Sequence, residues 1–131
     1  MSEAAAFAPG ISQIGQIAIA VKDLPQAVAF YRDILGLPFL FEASGMAFFD
    51  CGGVRVMLTV PESPEFDHPA SLIYYKVPDV RQAAAALRAR GAVFERDPHV
   101  VARMPGYDLW MAFLRDPDRN LLAIMSEQPR D

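Results

Sequence analysis

The sequence predicts an α+β fold built from two βαβββ modules, residues 13–60 and 70–126, within a single domain of 131 residues. Three observations carry that prediction. Residues 16–21 alternate Ile17, Ile19 and Val21 with Gln16, Ala18 and Ala20, the period of a strand. Leu24, Val28, Tyr31 and Leu35 then share one helical face, ending at Gly36. Finally, the order recurs at a nearly fixed offset. Asp23 and Asp79 lie 56 positions apart, and Gly36 and Gly91 lie 55 apart, as do Phe39 and Phe94. Such self-similarity points to an internal duplication.

Each element has a local reason. Asp23 offers a side-chain oxygen to the free N–H groups of a helix start. Pro25 is tolerated in the first turn, where its missing N–H is not needed. Gly36 can take the left-handed conformation that stops a helix. The first helix is therefore expected over 23–36. Leu37 to Ala43, Met46 to Cys51 and Val54 to Val60 read as strands, separated by Ser44-Gly45 and Gly52-Gly53 turns. Pro61 to Pro69, with three prolines and several acids, reads as a linker. Glu65, Asp67 and His68 sit in it and could in principle bind a metal, but nothing fixes their geometry, so they read as a solvated acidic loop.

The second half follows the same plan. Ser71 to Val77 is a strand. Val80, Ala83, Ala84 and Leu87 give a helix face over 79–91, stopped at Gly91. Ala92 to Met104, Leu109 to Arg115 and Leu121 to Ser126 supply three further strands. The middle is longer than in the first half by about ten residues, around Asp97 to Tyr107.

Composition narrows the function classes. At 53% hydrophobic and 21% charged, the chain is expected to be globular. Its formal charge of −4, without a basic run or basic–aromatic stripe, gives no support to nucleic-acid binding. No apolar run approaches the ~20 residues of a membrane helix. Met1 to Gly10 lacks the pattern of a secretory signal, and residues 1–12 read as a loose arm. The single cysteine, Cys51, cannot form an intrachain disulfide, so a reducing, cytoplasmic setting is expected. Dinucleotide, phosphate-loop, nucleophile-elbow and paired-cysteine motifs do not occur.

Three stretches carry a family resemblance. They are Ile17-Ala18-Ile19-Ala20-Val21-Lys22-Asp23-Leu24, Phe30-Tyr31-Arg32-Asp33-Ile34-Leu35-Gly36-Leu37 and Asp116-Pro117-Asp118-Arg119-Asn120-Leu121-Leu122. Through them residues 14–126 resemble the vicinal oxygen chelate superfamily, also called glyoxalase/bleomycin-resistance/dioxygenase proteins. Pro98 to Met104 with Leu109 to Phe113 resembles an uncharacterised branch of it. The resemblance implies two modules whose mixed sheets curl into an open cup holding substrate and metal. It also implies dimers, sometimes with modules exchanged between chains. The family pattern has Gly where this chain has Arg119, so mild strain is expected there.

Strand alternation assigns the faces. Gln16, Ala18 and Ala20 are expected in the cup, with Arg55, Met57 and Thr59, then Leu72, Tyr74 and Lys76, then Leu121, Ala123 and Met125. Metal-dependent relatives place ligands at positions matching Gln16, Met57, Leu72 and Ala123. Leu72 and Ala123 have no donor, and the Met57 thioether suits soft ions only. No metal and no cofactor is therefore expected. Gln16 reads as a polar group for a ligand, a water or its neighbours.

Arg55 and Lys76 would draw an anionic group into the cup or lie solvated at its rim. Tyr74 and Met57 would supply apolar wall or plain packing. His99 is the one candidate acid–base residue, since an ordinary imidazole titrates near ~6.5. It lies in the expanded segment beside Arg103 and near Trp110, which could stack on a ligand or simply pack. The expanded, second-module half is thus expected to hold the site. Cys51 reads as structural.

Two functions are open at this point. One is a metal-free small-molecule-binding protein, a homodimer holding a modest-sized anionic or aromatic ligand. The other is an enzyme of the same superfamily, a lyase, isomerase or dioxygenase using His99 or a non-standard metal site.

Overall fold

The structure, a computed structural model, describes residues 8–130. Of the expected amino-terminal arm, positions 1–7 lie outside the described residues. The chain runs β1 (Gln16–Ala20), α1 (Leu24–Ala29), β2 (Phe39–Ala43), β3 (Met46–Cys51) and β4 (Val54–Thr59). It continues through β5 (Ile73–Lys76), α2 (Val80–Ala89), β6 (Phe94–Met104), β7 (Tyr107–Arg115) and β8 (Leu121–Pro129). These form two unclosed four-stranded sheets, ordered β1-β4-β3-β2 and β5-β8-β7-β6. In each the helix crossover makes the first pairing parallel, β1 with β4 and β5 with β8. The duplication read from the sequence is thus also a duplication of topology.

The helix starts follow the capping residues. Asp23 accepts from the Gln26 N–H at 3.1 Å, and Asp79 accepts from Arg81 and Gln82. Gly36 and Gly91 end the two segments at φ 79° and 103°, where a side chain would be strained. The first helical segment differs from the 23–36 expectation in kind. After Ala29 it widens into a π-helical turn, Phe30–Ile34. That turn absorbs one residue more than the second helix needs. The offsets of 56 and 55 between the caps and between the stops record the same extra residue.

Both modules contribute to one core. Ile19, Tyr31, Phe49 and Leu58 from the first pack with Val80, Leu114 and Ile124 from the second. A buried polar clasp joins them. The Tyr31 hydroxyl donates to Asp116 at 2.8 Å, and Asn120 donates to the same carboxylate oxygen at 3.0 Å. The other Asp116 oxygen accepts the N–H groups of Asp118 and Asn120. Asn120 also donates to the Ala20 carbonyl, and Asp118 accepts the Lys22 N–H at 2.7 Å. The stretches that carry the resemblance are therefore bonded to one another. Arg119, in the same turn, sits at φ 66°, as expected for the glycine it replaces.

The expanded segment lengthens β6 and β7 into a long hairpin rather than forming a loop. Pro98 falls at a break in register between Arg96 and His99, on an edge strand where its missing N–H costs no ladder bond.

Candidate functional site

Each sheet has a helix side, which is buried, and an open side. On the open side of the first sheet, register aligns Ala18 with Met57 and Phe48, and Ala20 with Thr59 and Met46. Gln16 and Arg55 occupy the next row. The Gln16 amide donates to the Met57 sulfur at 3.6 Å, and the Arg55 guanidinium lies 5.6 Å from the Phe48 ring. Phe48 in turn stacks on Phe41 at 4.6 Å. Gln16, Arg55 and Met57 are thus brought together as the sequence predicts.

On the open side of the second sheet, register runs Lys76, Met125, Met111, His99 across all four strands. The next row holds Tyr74, Ala123 and Phe113. Tyr74 meets Phe113 edge-on at 6.3 Å, and His99 lies 6.4 Å from the same ring. Three strand spacings place Lys76 and His99 about 14 Å apart, at opposite edges of one face. Lys76 is not a free cation, because Glu127 pairs with it at 3.3 Å. The His99 Nδ1 lies 2.7 Å from the Asp97 carbonyl. A carbonyl only accepts, so Nδ1 carries the proton of this bond, and Nε2 is left out of it.

Trp110 and Arg103 are not brought to this face. Trp110 packs against the core on the helix side, with the Arg81 guanidinium of α2 4.8 Å from its ring. Adjacent strand residues point to opposite faces, so Trp110 turns away from Met111 and from His99. Arg103 pairs with Asp108 at 3.4 Å near the hairpin end, and Arg130 holds the same carboxylate.

A concavity of about 500 Å³ lies over the first sheet. Its floor is Ala18, Ala20 and Met57, and the small side chains leave the space open. The linker forms its other wall. Pro64–Phe66 makes a single 3-10 turn, which brings Phe66 and His68 over the sheet. The His68 Nδ1 lies 3.1 Å from the Pro69 carbonyl, leaving Nε2 as the acceptor. Sequence reasoning treated this linker as solvated, and a loop with no periodic pattern gave no sign that it folds back. The signal within reach was Phe66 itself, a large aromatic in an otherwise polar and proline-rich segment.

The metal that the fold family implies does not fit these residues. Of the matching positions, Gln16 and Met57 are bonded to each other, and Leu72 and Ala123 offer only hydrocarbon. Among the described residues, no three His, Cys, Asp or Glu side chains converge as a metal site. Cys51 is half-buried. Burial, then the neighbouring Asp50 charge, pushes its thiol pKa up and away from the reactive thiolate. No helix among the described residues is long and apolar enough to cross a membrane.

Comparison with known proteins agrees with this architecture. Residues 13–124 match the family described as Glyoxalase/Bleomycin resistance protein/Dioxygenase superfamily. The protein YraH of Bacillus subtilis, itself described as uncharacterised, is 32% identical over 123 residues, covering 83% of this chain and 94% of YraH. The metallothiol transferase FosB of Staphylococcus haemolyticus is 35% identical over 65 residues, half of this chain and 44% of FosB. Among solved structures, a lactoylglutathione lyase from Agrobacterium tumefaciens superposes with a TM-score of 0.70 at 24% identity, covering 89% of this chain and 95% of its own. A superfamily member from Sphaerobacter thermophilus gives 0.71 at 23% identity, covering 89% and 98%. The two-module topology and these matches lead to one conclusion: the chain belongs to the glyoxalase/bleomycin resistance protein/dioxygenase superfamily.

Proposed function

We propose that the chain is a metal-free small-molecule-binding protein of this superfamily, acting as a cytoplasmic homodimer. The observation that carries this reading is the concavity of about 500 Å³ over the first sheet, within the size range of small-ligand sites. Hydrocarbon at Leu72 and Ala123 supports binding without a metal. The open faces supply polar groups that could orient a ligand: Gln16 and Arg55 on the first sheet, Tyr74, Lys76 and His99 on the second. The open face of the second sheet remains uncovered within one chain, with Leu72 and Tyr74 36% and 45% exposed, which supports a second copy covering it. The unpaired Cys51 supports a reducing compartment.

The test is a thermal-shift screen of aromatic and anionic small molecules, followed by light scattering and elemental analysis. Concentration-dependent stabilisation by a ligand, a dimer mass and no stoichiometric metal are expected. A screen without a single binder, or about one transition metal per chain, overturns the reading.

A second reading, an enzyme using His99 as acid–base group, is favoured by one observation. The Asp97 carbonyl holds the ring through Nδ1, which leaves Nε2 unengaged by that bond, and the ring lies 6.4 Å from that of Phe113 on the open side. Turnover of a screened ligand, lost in His99→Gln while binding persists, would establish it.

A further inference from the structure

We infer that the cavity over the first sheet takes a planar aromatic molecule that is neutral or cationic, and that linker residues Glu62 and Phe66 select it. This deepens the small-molecule reading and rests on it.

The walls give the chemistry. Met46 and Met57 from the sheet and Phe66 from the linker present polarisable, flat-tolerant surface. Thioether–aromatic and aromatic–aromatic contacts both reward a planar ring. The polar groups within reach are the Ser44, Thr59 and Ser63 hydroxyls, the His68 imidazole and the Glu62 carboxylate. Among the described residues, no lysine or arginine lines the cavity. Arg55 lies one row away from Met57, engaged with Phe48. Lys76 is on the other sheet and paired with Glu127. Lys22 and Arg119 line the adjoining cavity, where Asp67 and Asp118 accompany them. Among the described residues the cations that would welcome an anion are therefore outside this space, and the carboxylate lining it is Glu62. His68, with Nδ1 given to Pro69, offers Nε2 as an acceptor to a ligand N–H or O–H.

The linker has the marks of a selecting element. Phe66 is 61% exposed, so its ring is available to a ligand in the cavity it lines. It belongs to neither sheet and is absent from the core cluster. It lines the same cavity as Met57, one from the linker and one from the sheet, so a planar ring bound there has apolar surface on offer from both.

The experiment uses two fluorescent probes of similar size, the cationic acridine proflavine and the anion 9-anthracenecarboxylate, titrated into the full chain. Proflavine is expected to bind more tightly, by about threefold, the range of one solvent-exposed charge pair. Glu62→Gln should erase that preference. Phe66→Ala leaves the net charge unchanged and should weaken proflavine about fivefold, the range of one aromatic contact. Gln82→Ala, at an exposed position of α2 outside both open faces, should leave proflavine binding alone. Both linker residues are exposed, so these variants keep the fold. The inference is overturned if 9-anthracenecarboxylate binds as tightly as proflavine, if Phe66→Ala changes nothing, or if proflavine does not bind. If the anion binds and Tyr74→Ala abolishes it, small-molecule binding stands on the second sheet and the first-sheet site falls. If no compound in the wider screen binds either, both readings fall.

Discussion

The Tyr31 hydroxyl and the Asp116 carboxylate, 85 residues apart in sequence, lie 2.8 Å apart in the core. Each comes from a stretch that resembles the superfamily, and the bond joins the two modules. A neutral donor to a buried carboxylate is one of the stronger hydrogen bonds, so Tyr31→Phe should destabilise the chain by about 1.5–3 kcal/mol. Urea unfolding at neutral pH measures this. An unchanged midpoint would show that Asp116 is held without Tyr31.

The same bond sets an alkaline limit. Burial, then the Asp116 charge, raises the Tyr31 pKa well above its ordinary value, and burial does the same for Tyr75. Above pH ~10 the unfolded chain gives up these protons while the folded chain keeps them. The unfolded state then binds fewer protons, so stability falls as pH rises. Urea midpoints should hold steady below pH ~10 and drop above it, with a shallower drop in Tyr31→Phe. A flat profile to pH ~11 would contradict the burial of both hydroxyls.

Arg119 carries strain that a single change should relieve. Its φ of 66° suits glycine, while its carbonyl, which accepts from Arg115 at 2.8 Å, is kept whatever the side chain. The left-handed conformation costs a side-chain-bearing residue about 1–2 kcal/mol, partly offset by the greater unfolded freedom of glycine. Arg119→Gly should therefore stabilise by up to about 1 kcal/mol. Destabilisation in thermal melts would mean that the guanidinium contributes more than the backbone loses.

Trp110 should behave as scaffold. It is half-buried on the helix side beneath Arg81. Trp110→Ala should cost about 2–4 kcal/mol in unfolding experiments and leave probe affinity at either open face unchanged. A variant of normal stability with weakened ligand binding would move Trp110 back into a site.

Much of the fold was legible because it is periodic. Alternation placed Ile19, Leu58 and Ile124 on the packed side of the sheets and Tyr74 and Lys76 on the opposite, open side, and the structure separates them so. Even the π-helical turn left a trace, the one-residue difference between the cap and stop offsets. The site was less legible. Trp110 sits next to His99 in the hairpin register, yet neighbouring positions on a strand point to opposite sides, so nearness in sequence misled. The long hairpin drew attention through its added length, whereas the cavity wall comes from a linker whose only hint was Phe66. An aperiodic segment folds back according to contacts that no repeat encodes.

The clasp also makes the halves unlike in a way their shared plan hides. The first module brings the donor Tyr31, and the second brings the Asp116–Asn120 acceptor turn. Counted from the capping aspartates, the second module has Leu87 where the first has Tyr31, and the β3–β4 connection is Gly52-Gly53. Neither half can therefore satisfy the clasp with a copy of itself. A chain nicked in the linker should yield fragments that recognise each other as plug and socket and reassemble as a one-to-one pair. That directionality would make the duplicated scaffold a natural starting point for a split reporter, reconstituted only when both unlike halves are present.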